Sequence, residues 1–157
     1  MPPLPHAQPA LPQTAIPQSA IPEGFKVIRP EGPFGQAVGP FYFRREADGR
    51  FRYGFLPQEH HTNPAGAVHG GALYTFADQI MGRMLYSTDR RMNVTVSLTA
   101  EYLAAVSPGC WVEGEVEIVR KTKSLGFLRA VLRVQAEAVC TVGGVFKFLR
   151  GEWQDRP

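Results

Sequence analysis

A chain of 157 residues with 44% apolar and 20% charged residues has the size and make-up of one globular domain, large enough to fold without a disulfide or a metal. Its formal charge of +3 is too slight to argue for nucleic acid, although a modest positive field favours a polyanionic small molecule. Cys110 and Cys140 suit packed free thiols in a reducing compartment, with a single disulfide between them left open; no basic-then-apolar leader and no run of about 18 uncharged apolar residues occurs, so the expected location is the cytoplasm, without a membrane partner.

Residues 1–22 hold seven of the fourteen prolines, and TAIPQSAIPEG reads as extended polyproline-rich chain. Residues 1–29 are therefore assigned to a flexible tail and residues 30–157 to a single domain. Gly39 to Arg45 reads as a strand, and Ala47-Asp48-Gly49-Arg50 carries a hairpin signal. Phe51 to Leu56 returns as the second strand. Pro57 to Gly66 is a polar loop with two histidines.

Gly70 to Ser87 is the one long helical pattern. Leu73, Phe76, Ala77, Ile80 and Met84 recur at helix spacing and form an apolar stripe. The other face carries Gly71, Thr75, Asp78 and Gly82, small residues that admit a close neighbour. From Asn93 onward the chain reads as strands: Val94 to Leu103, Trp111 to Arg120, Leu125 to Val134 and Val139 to Leu149. The last turn falls either at Gln135-Ala136-Glu137 or at Gly143-Gly144. Two strands, one helix and about four more strands predict an α+β fold with an antiparallel sheet wrapped around a central helix. One sheet leaves the second helix face bare, so a dimer with paired helices is expected.

The chemistry concentrates in Asn63-Pro-Ala-Gly-Ala-Val-His69-Gly70-Gly71, which runs straight into the helix bearing Asp78. The first N–H groups of a helix lack internal partners and carry the positive end of its dipole. Glycine lets a carbonyl approach that backbone, so Gly70 N–H is a candidate oxyanion donor, with Asn63 and His69 beside it. Asp78 is eight residues on, about 12 Å along the axis. One helix start and its own Asp78 therefore cannot grip the same carbonyl, whereas antiparallel helices across a dimer axis would bring each start to the partner's aspartate. An aspartate in an apolar helix is costly unless paired or used. There is no Gly-x-Ser-x-Gly elbow and no phosphate-binding glycine loop. The spacing of His60, His61 and His69 fits no metal pattern, and no cofactor is implied.

The run Asn63…His69-Gly70-Gly71-Ala-Leu-Tyr-Thr-Phe-Ala-Asp78 resembles the signature of hotdog-fold acyl-CoA thioesterases of the phenylacetate-pathway type, within the 4-hydroxybenzoyl-CoA thioesterase superfamily. The resemblance extends over about Gly39 to Arg150, including Val94-Thr95-Val96-Ser97-Leu98 and Gly144-Val145-Phe146-Lys147. It implies the hotdog fold and hydrolysis of an acyl-CoA thioester by homodimers, often paired into homotetramers. By resemblance Asp78 is general base or nucleophile, Gly70 N–H polarises the carbonyl, and Asn63 orients nucleophile or substrate. His69 holds the loop or the carbonyl, and Thr95 helps position water. Asp78 and Thr95 would come from the subunit opposite the Asn63–Gly70 loop. Arg120, Lys121 and Lys123 are candidates for the coenzyme A phosphates, weighed evenly against a solvated basic turn. Phe76, Ile80, Met81 and Met84 are candidates for the acyl tunnel, with core packing an equal reading. A non-enzymatic acyl-CoA sensor on the same fold is the alternative.

Overall fold

The structure, a computed structural model, describes residues 20–29 and 32–149. In chain order it comprises β1 (Lys26–Val27), α1 (Pro33–Val38), β2 (Phe41–Arg45), β3 (Phe51–Phe55), a 3-10 turn (Glu59–His61) and α2 (Gly70–Asp89). Four long strands follow: β4 (Asn93–Tyr102), β5 (Val112–Lys121), β6 (Leu125–Val134) and β7 (Glu137–Phe148). They make one antiparallel seven-stranded sheet in the order β1-β2-β3-β5-β6-β7-β4, with α2 packed against it. This is the α+β hotdog architecture that the sequence predicts.

The β2–β3 hairpin closes as expected, with Phe43 opposite Tyr53 and the Arg50 N–H bonded to Asp48 Oδ1. β3 then pairs with β5, because α2 intervenes and its exit sends β4 to the far edge, beside β7. That crossover curls the sheet around the helix. Phe76, Ala77, Ile80, Met81 and Leu85 are fully buried on α2, facing Val112, Ala130, Leu132, Cys140 and Val142 from the sheet. At roughly 25 cal/mol per Å² of apolar area, a stripe of side chains this completely buried contributes several kcal/mol, far more than helix propensity does. The stripe runs through Met81 and Leu85. Met84 lies to its side, half-buried, its Sδ 3.8 Å from the Tyr53 hydroxyl. Phe76, Ile80 and Met81 are buried in the core, in keeping with the core-packing reading of these residues.

Other boundaries differ from expectation. Phe25 and Ile28, assigned to the tail, are buried on the body, and Lys26–Val27 pairs with β2. The Phe25 ring meets Trp111 edge-on at 5.0 Å between centroids. The packed body therefore begins before residue 30; of the proline-rich stretch read over residues 1–22, residues 1–19 lie outside the described residues. Helix α1 has no counterpart in the sequence reading, its six residues being too few to show a period. The last hairpin turns at Gln135-Ala136, with Gln135 at φ 53°, and Gly143 and Gly144 lie inside β7. Cys110 and Cys140 are free thiols. Among the described residues no helix is long and apolar enough to cross a membrane.

Candidate active site

The loop into α2 is built by its own polar groups. Asn63 Oδ1 accepts from the N–H groups of Ala65 (2.9 Å) and Ala67 (3.3 Å), and the Asn63 N–H donates to the Ala67 carbonyl at 2.8 Å. His61, buried, fastens the loop from behind. Its Nδ1 accepts from Gln58 N–H at 2.8 Å and its Nε2 donates to the Val38 carbonyl at 2.7 Å. Its carbonyl accepts from His69 N–H at 2.7 Å. Burial holds the His61 pKa below its ordinary value, and the Gln58 N–H and the Val38 carbonyl select this tautomer.

His69 caps the helix, its Nδ1 accepting from Gly71 N–H at 2.8 Å. The His69 carbonyl takes Ala72 N–H at 2.9 Å. Gly70 N–H is thus the donor of the first turn without an acceptor among the described residues. Side chains would not fit here: a Cβ on Gly71 would lie 2.9 Å from His69 Nδ1, and one on Gly70 would lie 2.9 Å from Tyr102 Cζ. The Tyr102 hydroxyl donates to the Gly70 carbonyl at 3.0 Å and so holds the helix start against β4. Tyr102 is a site residue that the sequence reading missed; it lies on a strand edge with no motif around it.

Eight residues along α2, Asp78 accepts from Thr95 Oγ1 at 2.5 Å. Burial raises the Asp78 pKa and the Thr95 hydroxyl opposes the rise. Asp78 thus sits where a carboxylate is basic yet held in one orientation. A cavity of about 390 Å³ opens beside the pair, walled by Ile28, Met92 and Phe146 as well as by Asp78 and Thr95. A larger depression of about 550 Å³ lies at the β2–β3 hairpin. It shares no residue with this pair; three of its arginines, Arg44, Arg50 and Arg52, are paired with Glu46, Asp48 and Glu115, and Arg133 donates to the Ala136 carbonyl.

The residues singled out from sequence therefore fall into two clusters: Asn63, His69 and Gly70 at the helix start, Asp78 and Thr95 midway along it. The helix rise separates them by about 12 Å. Arg120, Lys121 and Lys123 are exposed at the β5–β6 turn. Lys121 is paired with Asp89 at 2.8 Å, at the end of α2.

Comparison with known proteins places this arrangement. The model of the thioesterase superfamily matches residues 65–141. The Pseudomonas aeruginosa protein PA0474, whose name proposes an esterase, is 30% identical over 126 residues, covering 79% of this chain and 94% of that one. The chain belongs to the thioesterase superfamily. Members of that superfamily hydrolyse thioesters, and the fold agrees. The BH2602 protein from Bacillus halodurans, solved with CoA, superposes with a TM-score of 0.69 at 24% identity, over 80% of this chain and 83% of that one. The Escherichia coli PaaI protein of the phenylacetic acid degradation operon gives 0.69 at 17% identity, over 77% and 87%. In this thioesterase chain the matched segment contains the helix start, Asp78 and Thr95; Asn63 lies just before it.

Proposed function

We propose that the protein hydrolyses an acyl-CoA thioester, aryl or short to medium chain, at a site shared between two subunits of a homodimer. The observation that carries the reading is the 2.5 Å bond from Thr95 to a half-buried Asp78 at the mouth of a cavity. Gly70 N–H of one subunit polarises the thioester carbonyl. Asp78 of the other takes a proton from water, or attacks the carbonyl itself. Attack forms a C–O bond, the tetrahedral oxyanion collapses, and the C–S bond breaks to release coenzyme A as thiolate, which takes the proton that Asp78 drew from water. Where Asp78 is itself the nucleophile, water then hydrolyses the acyl–Asp78 anhydride, freeing the acid, restoring the carboxylate and supplying that proton. Thiolate is a fair leaving group, so one carboxylate and one oxyanion donor suffice. Asn63 and His69 shape the donor loop. Arg120 and Lys123 meet coenzyme A phosphates, with Lys121 partly committed to Asp89.

The dimer also has physical support. Val96 and Tyr102 on the edge strand β4, and Leu103 just after it, are 58%, 52% and 56% exposed, an apolar edge that a second copy would cover. The same cover would close Asp78 and Thr95 from solvent. Pairing of dimers into a tetramer is compatible with this arrangement.

The test is release of free thiol from a panel of acyl- and aryl-CoA esters by wild type and by Asp78→Asn. The substitution should lower kcat by about a hundredfold or more. Binding of the esters without thiol release would instead make the protein an acyl-CoA sensor. The shared site has its own test. Asp78→Asn and Asn63→Ala, each inactive alone, should recover activity when unfolded, mixed and refolded together, because the hybrid dimer holds one intact site. No recovery in isolated hybrid dimers would put both halves of the site in one chain.

A further inference from the structure

We infer that the cavity beside Asp78 contains an anion subsite at Arg83, and that the preferred substrates are CoA esters of short diacids, whose acyl group ends in a carboxylate. This rests on the thioesterase reading above and names the substrate class of that site.

Asp78, Gly82 and Tyr86 follow one another at i, i+4 along α2, as do Gln79 and Arg83, and all five face the cavity. Arg83 stands five residues beyond Asp78, about 7.5 Å further along the axis. The guanidinium is anchored. Its Nη1 donates to the Arg29 carbonyl at 3.1 Å, and its central carbon lies 5.8 Å from the centre of the Phe43 ring. Among the described residues it has no carboxylate partner, each ion pair there using another cation. A guanidinium has five N–H donors, and the Arg29 carbonyl takes one.

Such a group is poorly served by an alkyl chain. A hydrocarbon in this cavity would strip water from Arg83, and from the polar ends of Gln79 and Tyr86, without returning a hydrogen bond. A carboxylate returns two, in the fork geometry that arginine matches. The spacing is on the scale of a short diacid: the backbone positions of Asp78 and Arg83 are about 7.5 Å apart along the axis, and five to six extended carbon–carbon bonds, each advancing about 1.25 Å, span roughly 6–7.5 Å. An acyl group of that length places its carbonyl by Asp78 and its far carboxylate by Arg83. Ile28 and Phe146 would pack against the methylenes between them.

The test pairs two six-carbon esters, adipyl-CoA and hexanoyl-CoA, with wild type, Arg83→Gln and Arg83→Lys. Wild type should favour adipyl-CoA in kcat/KM by about tenfold or more, the size of a charge-assisted contact. Arg83→Gln should bring the ratio of the two esters to about one, and Arg83→Lys should restore part of it. A merely structural role would lower both esters together and leave the ratio alone, which would overturn the inference. So would equal turnover of the two esters by wild type, while the thioesterase reading stood. Binding of the same esters to Asp78→Asn reads the subsite without turnover. Tighter adipyl-CoA binding by a similar factor supports it even where no thiol is released, and equal binding refutes it.

Discussion

Replacing Thr95 by valine removes one hydroxyl and keeps the shape and strand preference of the side chain. In the structure that hydroxyl donates to Asp78 Oδ1 at 2.5 Å and opposes the rise that burial imposes on the Asp78 pKa. Its loss leaves desolvation unopposed, so the carboxylate becomes harder to ionise. The sign follows directly: catalysis needs the ionised form, so the acidic limb of kcat/KM against pH moves to higher pH. A hydrogen bond to a charged group is worth about 1.5–3 kcal/mol, and the exposure of Thr95 on an edge strand favours the lower figure. About 1.4 kcal/mol is a tenfold change, so the variant should be roughly tenfold slower than wild type on the rising limb. The two profiles should converge on the alkaline plateau. Thr95→Ser, which keeps the donor, should follow wild type. The assay is thiol release at low substrate concentration from about pH 4 to pH 8. A constant loss at every pH would mean that Thr95 places water or substrate and does not tune Asp78. A limb that moves to lower pH would refute the electrostatic argument outright.

Three more expectations concern the surroundings of the site. Tyr102→Phe loses the donor to the Gly70 carbonyl, worth about 1 kcal/mol, and should cost roughly fivefold in kcat/KM with little change in melting temperature; unchanged kinetics would show that the helix start needs no tether. Burial lowers the His61 pKa in the folded chain below its unfolded value, so its stabilising contribution is complete above the ordinary histidine value of 6.5 and fades as the pH falls toward the folded pKa. Wild type should therefore melt lower at pH 5.5 than at pH 8, and His61→Gln, less stable at pH 8, should show a smaller difference. At the β5–β6 turn, Arg120→Ala and Lys123→Ala should each raise KM for CoA esters by roughly two- to fivefold, the scale of an exposed charge contact. N-acetylcysteamine thioesters, which lack the phosphates, should not feel the change. Lys121→Ala should mainly lose the Asp89 pair and lower stability.

The parts of the fold that were legible in the sequence are those with a period. The stripe of Leu73, Phe76, Ala77 and Ile80 announces α2, and the alternation of Val112, Val116 and Ile118 with Glu113, Glu115 and Glu117 announces β5. Features set by tertiary contact were not legible. Lys26–Val27 is too short to alternate, and it becomes a strand because β2 offers an edge and Trp111 offers a ring. Gly143-Gly144 has turn composition, yet it is strand because Met81 and Leu98 need the room above Gly144. The choice between acyl tunnel and core for Phe76, Ile80 and Met81 stayed open in the sequence for a related reason. A heptad-like apolar row shows which face is buried, but not whether it meets a sheet or a ligand. At the site, a motif with backbone chemistry, His69-Gly70-Gly71, could be read directly, whereas Tyr102 and Arg83 act through position on a strand edge and a helix flank.

The spacing that made the site puzzling in one chain also explains its economy. A helix start offers its free N–H at one end of α2, and a carboxylate placed in that same first turn would bond the orphan donors itself. Moving the acid two turns along, to Asp78, prevents that collapse and allows burial to raise its basicity. On the proposed shared site, neither half is complete alone. His69 and Tyr102 hold the donor, Thr95 holds the carboxylate, and both Tyr102 and Thr95 lie on β4. The exposed strand with Val96 and Tyr102 thus ties the two clusters together. A copy that docked there would change the setting of the donor and of the base in one step. Activity should accordingly fall with dilution at the concentration at which the dimer dissociates, as read by light scattering or ultracentrifugation. Full specific activity in a demonstrable monomer would rule out the shared site.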